Sequence, residues 1–310
     1  MGAPVVLASP AHVNYEVAMF TCDATPGPGG FLTYVLRSGE GTAECHVVPE
    51  RGALTTRLRF GSDEVLFLDE ATLSDRGKNV RGGIPVLFPM AGRLPNDSYD
   101  ANGRSYTLAQ HGFARKLPWL VIGHGGESES AWLTCRLESS GETLAVFPWT
   151  FRLELTFTLT RQELQLDVKL TNTSPVSMPH ALGFHPYFHV PAGEKRLAGL
   201  RTDAKRGFDN TTGQAVYVTK IDFTVPELDL HLLDHSTHGT IVRRGSLPKL
   251  GLTWDEGFRT LVLWTLAGRG FVCVEPWEAP AGALASGKEL PWLPTRTTVT
   301  RMFRIASGIR

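Results

Sequence analysis

The sequence carries no surplus of charge. Its 310 residues hold 31 Lys and Arg against 31 Asp and Glu, a net charge of zero with neutral histidines. No basic block breaks that balance, so the electrostatic footprint of a nucleic-acid-binding protein is missing. Cysteine is scarce: four residues, Cys22, Cys45, Cys135 and Cys273. None forms a CxxC pair or lies beside a His pair at zinc-finger spacing. They read as buried, unpaired thiols of a reducing compartment. No apolar run reaches the roughly 18 residues of a membrane helix. Met1 to Phe20 lacks the basic start and apolar core of a signal peptide. A soluble cytoplasmic protein, with neither membrane nor nucleic-acid partner, is therefore expected. GxGxxG before a helix, GxxxxGKS/T, HExxH and GxSxG are also absent. Those are the usual marks of nucleotide binding, zinc proteolysis and serine hydrolysis.

Long helical patterns are lacking as well. No segment of about 15 residues keeps a 3.6-residue apolar spacing. What is present is alternation with period two. In Phe151 to Leu159, the residues Phe151, Leu153, Leu155, Phe157 and Leu159 point one way. Leu164 to Leu170 repeats the pattern, and Thr160-Arg161-Gln162-Glu163 between them fits a hairpin turn. Leu54 to Phe60, Trp119 to Ile122, Ala131 to Leu137, Thr240 to Arg243 and Leu250 to Trp254 are further strand candidates. Thr260 to Leu266, Phe271 to Glu275 and Thr297 to Ile305 complete the set. Leu68 to Asn79 and Phe88 to Ser105 read as loops, the latter with Pro95-Asn96-Asp97 and Asn102-Gly103 in turn-forming combinations. The 32 Gly and 20 Pro are spread throughout. Many strands with turns between them predict an all-β fold, a large antiparallel β-sandwich. Length alone suggests about two domains, but large all-β folds reach this size as one. No linker divides the chain, so residues 1–310 are read as a single domain.

Chemistry-bearing residues fall into four groups. The first is Arg81-Gly82-Gly83-Ile84-Pro85-Val86-Leu87-Phe88-Pro89, continuing through Gly92-Arg93-Leu94 to His111-Gly112-Phe113-Ala114-Arg115. Glycine pairs let backbone approach a ligand, and the arginines suit hydroxyls or a phosphate; solvated arginines on turns are the plainer alternative. The second runs from His180 to His189. In an extended chain His185, Tyr187 and His189 share a face, and a His is the natural proton carrier near neutral pH. A hydrogen-bonded structural His would look the same. The third is Phe271-Val272-Cys273-Val274-Glu275-Pro276-Trp277, a strand that ends in a carboxylate before a proline. Such a group is costly to bury unless paired or functional; otherwise it points to solvent. The fourth, His231, His235 and His238 with Asp234, invites a metal reading. His231 and His235 share a face only on a helix, which the segment after Pro226 does not favour. No metal is expected.

Taken in order, these segments resemble the aldose 1-epimerase (mutarotase) family. Gly92-Arg93-Leu94, Asn102 to Leu108 and His111-Gly112-Phe113 follow its first substrate-binding segment. His185-Pro186-Tyr187-Phe188 is similar to its HxYF motif, and Glu275-Pro276 to the segment that carries its base. The likeness runs from about Arg81 to the C-terminus, and the first 40 residues carry no motif of this kind. RGGIPVLFP with HGFAR resembles the branch containing hexose-6-phosphate epimerases.

The resemblance implies a galactose-mutarotase-type β-sandwich that interconverts the α and β anomers of a sugar without a cofactor. It implies Glu275 as base, His185 as acid, and Arg93 and His111 on sugar hydroxyls. An Asp completes the site; Asp229 fits the spacing and Asp234 is the rival. Arg81 and Arg115 match positions near a phosphate. A free aldose is taken first and hexose 6-phosphate second, with a non-catalytic sugar-binding protein as a further alternative. The only partner expected is a small sugar or sugar phosphate, and the chain is expected to be a monomer or homodimer. The residue types suit the reaction, since ring opening needs one proton removed from the C1 hydroxyl and one given to the ring oxygen. Phe88, Phe184, Tyr187 and Trp277 are candidates for an apolar sugar-binding wall, or for core.

Overall fold

The computed structural model describes residues 19–309. Apart from Met19 and Phe20, the segment read for a signal peptide lies outside them. Two eight-stranded sheets dominate. The first is centred on the hairpin of Phe151–Leu159 and Glu163–Asn172, in which Leu159 faces Leu164. Phe151, Leu153, Leu155, Phe157 and Leu159 are all buried, because period two sends them to one face. Ala131–Glu138 and Leu120–Gly126 extend this sheet on one side, and Thr298–Ala306 and Leu247–Trp254 on the other. The second sheet runs from Gln214–Tyr217 through Arg206–Asp209, Glu227–Leu232, Thr260–Leu266 and Phe271–Trp277 to Gly183–Phe184 and Val86–Leu87, with Tyr187–His189 also paired to Phe271–Trp277. A five-stranded sheet begins at Thr21–Pro26 and ends at Asp63–Glu64.

The fold is an all-β antiparallel sandwich. Its core forms where the large sheets face each other: Phe184 stacks on Phe303 with ring centroids 5.5 Å apart, and Phe88 meets Phe151 at 4.9 Å. Both phenylalanines considered for a sugar-binding wall are thus fully buried in the core. All four cysteines are buried and free. No helix among the described residues is long and apolar enough to cross a membrane.

Three local readings change. The loop read over Leu68 to Asn79 holds a helix, Glu70–Ser74, capped by the Asp69 carboxylate on the Thr72 N–H. One turn is too short to show a periodicity. Within Phe88 to Ser105, Ser98–Ala101 and Arg104–Thr107 pair as a hairpin. Its turn residues, Asn102 and Gly103, have φ of 50° and 73°, the two positive angles that a type I′ turn requires.

The third change matters most. The strand read as ending at Glu275 continues through Pro276 to Trp277. Proline is tolerated because of where its missing donor faces. The Glu278 N–H donates to the Leu182 carbonyl at 2.8 Å, and backbone alternation turns position 276 to that same side. There the neighbouring chain leaves the ladder after Phe184 and rejoins it at Tyr187.

Candidate active site

That interruption builds the site. Gly183 pairs with Trp277 before the gap and Tyr187 pairs with Cys273 after it, in one continuous register. His185 in the gap is therefore set opposite Glu275. Opposed residues of antiparallel strands share a face, and the row continues from Glu275 to Val262 and from Val262 to His231. The adjacent row on that face is Tyr187, Cys273, Trp264 and Asp229. Together the two rows floor a cavity of about 570 Å³, within the usual range for small-molecule sites. Arg81, Arg93, Gln110, His111 and Arg115 wall it from the earlier part of the chain.

His185 and Glu275 lie at the bottom, 7% and 1% exposed. The His185 Nδ1 is 3.3 Å from Glu275 Oε1, within ion-pair reach yet not aligned as a hydrogen bond, which leaves that nitrogen without a partner. Burial, reinforced by the Asp229 charge, raises the Glu275 carboxyl well above the ordinary carboxylate range. The Trp277 indole N–H, 3.2 Å from Oε2, and Arg115 pull the other way. Burial, then the Arg115 and Arg81 charges, lowers the His185 imidazole to about 3. Both shifts favour the uncharged forms of the pair, a carboxylic acid beside a neutral imidazole.

His111 is held in a fixed tautomer. Its Nδ1 accepts from the Gly92 N–H at 3.0 Å, while the His111 backbone N–H donates to the Gly92 carbonyl at 2.8 Å. The ring proton must then sit on Nε2. Burial, then the His185 charge, keeps this imidazole well below its ordinary value, so it is a neutral donor. The residue has φ of 66°, an uncommon conformation for a side chain of this size. Gly112 makes the turn possible: its φ is +68°, and a Cβ there would sit 2.3 Å from the Phe88 carbonyl oxygen. Gly112→Ala should cost about 1–3 kcal/mol in urea unfolding, because the neighbouring atom is backbone and cannot yield.

The remaining candidates divide. Tyr187 stacks on His185 at 4.7 Å and 7°. Trp277 stands edge-on to both His111 and His231, so these two aromatic candidates do line the pocket. Arg81 lies over the Trp264 ring at 5.5 Å, and Arg115 donates to the Gln110 carbonyl. Neither arginine has an ion-pair partner among the described residues. Arg93 stands at the rim, exposed and 3.3 Å from Asp97. Asp229 lines the cavity, whereas Asp234 caps the N–H groups of Lys205 and Arg206 outside it. His189 does not reach the lining.

The sequence-read metal group disperses: only His231 enters the pocket, and His235 packs near Trp254. A different trio, His185, Cys273 and Glu275, brings its ligand atoms within 4.8 Å of one another. Burial keeps the Cys273 thiol protonated, which opposes metal binding there. Sequence reasoning missed Asn210, Glu227 and Trp264. The Asn210 amide nitrogen bridges Asp229 Oδ1 at 3.1 Å and His231 Nε2 at 2.6 Å, and the Trp264 N–H donates to Glu227 at 3.0 Å. Strand register points to Glu227 and Trp264, and Asn210 is set beside Asp229 by the turn that follows Arg206–Asp209.

Residues 33–292 match the family model for aldose 1-epimerase. The chain belongs to the aldose 1-epimerase family. A solved structure of the Slr1438 protein from Synechocystis is 36% identical, covers 90% of this chain and 96% of its own, and superposes with a TM-score of 0.87. A galactose mutarotase-like protein from Clostridium acetobutylicum, 13% identical over 94% of this chain and 99% of its own, shares the fold at a TM-score of 0.81. A Cenchrus ciliaris relative named "Putative glucose-6-phosphate 1-epimerase" is 26% identical over 80% of this chain and 79% of its own. The motifs from Arg81 onward thus belong to an epimerase family, on the mutarotase-like sandwich.

Proposed function

We propose that the protein interconverts the α and β anomers of an aldose, with Glu275 and His185 as the proton-transfer pair. The observation that carries this reading is the register that sets these two side chains opposite each other at the floor of one cavity. As base, Glu275 takes the proton of the C1 hydroxyl. The C1 carbonyl forms, the C1–O5 bond breaks with its electron pair on O5, and His185 supplies the proton to O5. Rotation about C1–C2 presents the other carbonyl face, and closure reverses both transfers. The burial that favours the uncharged pair must be offset when sugar binds, so that the carboxyl proton passes to His185 and a carboxylate and an imidazolium face the ring. The Trp277 N–H and the Arg115 charge both favour the carboxylate. His111 Nε2–H, Asp229 and Asn210 are placed to hold sugar hydroxyls.

The unpaired Arg81 and Arg115 favour a sugar whose far end carries a phosphate, because two guanidiniums recognise a dianion well. The name of the Cenchrus ciliaris relative points the same way. An unphosphorylated aldose is the second reading, since the hydroxyl-binding groups stand apart from the arginines. Polarimetry on fresh α-glucose, α-galactose and α-glucose 6-phosphate separates them. The phosphorylated sugar should be preferred by about tenfold or more, and Arg81→Ala should remove that preference. Equal rates on all three would establish the unphosphorylated reading. Binding without anomer exchange would make the protein a sugar receptor.

A further inference from the structure

Behind Arg115 lies a second cavity, of about 250 Å³. Arg51, Arg76, Lys78, Arg115 and Lys116 line it, and no carboxylate does. It shares Asn79, Val80 and Arg115 with the sugar pocket, so one wall and one guanidinium serve both. Arg76 and Lys78 are offset by Glu50 at 3.1 Å and Asp75 at 3.3 Å, with exposed side chains in both pairs. Arg51, Arg115 and Lys116 have no ion-pair partner among the described residues.

Arg51 is the telling member. It is 7% exposed, and a guanidinium buried without a counter-charge is costly. Its Nη atoms donate to the carbonyls of Thr72, Asp75, Arg76 and Lys78. Those bonds tie the segment carrying Arg76 and Lys78 to Arg51, while no carboxylate among the described residues forms an ion pair with its guanidinium and Asp75 acts on it only at longer range. The Nε atoms of both Arg51 and Arg115 are buried without a partner.

We propose that this cavity is a second anion site that takes a free tetrahedral oxyanion of the phosphate class. Guanidinium forks and ammonium groups are the donors such an ion requires. The volume lies below the range of about 300–1,000 Å³ typical of larger ligands, which suits a small ion better than a second sugar phosphate. Because Arg115 is shared, an oxyanion here competes for its charge and weakens the hold on an anionic sugar in the main pocket.

Inorganic phosphate is titrated calorimetrically into the full chain at constant ionic strength, which removes general screening. Lys78→Gln with Lys116→Gln should weaken phosphate by about tenfold, and Arg81→Ala should change it less than about twofold. The reverse pattern would put phosphate in the sugar pocket alone and overturn the inference. So would absence of binding to the wild-type protein at ~10 mM phosphate, where even a millimolar site fills. Neither lysine lines the sugar pocket, so anomer exchange without phosphate should match wild type in the double variant. If the wild-type protein exchanges no anomers, the epimerase reading fails, and the titration still decides the anion site.

Discussion

Glu275→Gln should lower kcat for anomer exchange by roughly 10²- to 10⁴-fold, the usual contribution of one general acid–base partner. The same substitution should stabilise the fold at neutral pH. The two side chains are isosteric, and the amide oxygen can still accept from the Trp277 N–H, 3.2 Å away in the native site. What disappears is the cost of a buried ionisable group. Burial and the Asp229 charge raise the folded-state value of Glu275, so its folded form binds the proton more tightly than its unfolded form. The stability linked to that proton is fully present below the ordinary carboxyl value of 4.5 and is lost as pH rises through the folded value. The Tm advantage of Glu275→Gln should therefore be near zero in mild acid and grow toward neutrality. Thermal unfolding across that pH range, with polarimetry on the same samples, reads both effects. Undiminished activity would remove Glu275 from the chemistry, and a flat Tm difference would remove the strain. Loss of activity with gain of stability is the signature of a group held against its solvation preference for function.

Glu278→Ala should destabilise the protein by about 3–5 kcal/mol, the cost of breaking a buried ion pair by removing one member. In a chain of this size that lowers Tm by roughly 5–10 °C. Glu278 is 1% exposed. Its Oε2 accepts from His180 Nδ1 at 2.6 Å and from the Leu182 N–H at 2.7 Å, and its Oε1 accepts from Arg301 Nε at 2.6 Å. Burial alone would raise this carboxyl, but the His180 and Arg301 interactions overcome it and hold the value below the ordinary one. Its stabilisation is thus present above 4.5 and is lost as pH falls through the folded value. The Ala variant's deficit should shrink in acid, the opposite trend to Glu275→Gln. Glu278→Gln, which retains an acceptor for Leu182, should fall between. The clamp joins residues three positions from His185 and three from Glu275, so kcat should also fall, though by less than on losing Glu275. An Ala variant as stable as wild type would show that the network contributes nothing net.

Much of the architecture was legible in the residues. The alternation of Phe151 to Leu159 named the buried face of a central strand, and Asn102-Gly103 marked a turn that proved to join two strands. His185, Glu275, His111, Arg81 and Arg115 stood out by type and setting, and all line the one cavity. Other features were hidden for identifiable reasons. Proline after Glu275 argued for a strand end, because nothing local reveals that the neighbouring chain breaks off at that point. Phe88 and Phe184 lie among site residues in sequence, but both are turned into the core, Phe184 while its neighbour His185 faces the pocket. Asp229 and Asp234 are equivalent by composition. Pairing with Trp264 takes Asp229 into the site, and a loop takes Asp234 to backbone amides outside it.

The amino-acid sequence by itself determined the strands, their buried faces and the supply of acids, bases and cations, because period-two patterning and side-chain chemistry are local properties. Only the tertiary structure decided which of those groups confront one another. Register between strands distant in the chain follows from burying whole faces at once, and a slip of one residue would turn every side chain away from its partner. The cation-lined cavity behind Arg115 depends on that same global fit, since its charges come from three separate stretches of chain.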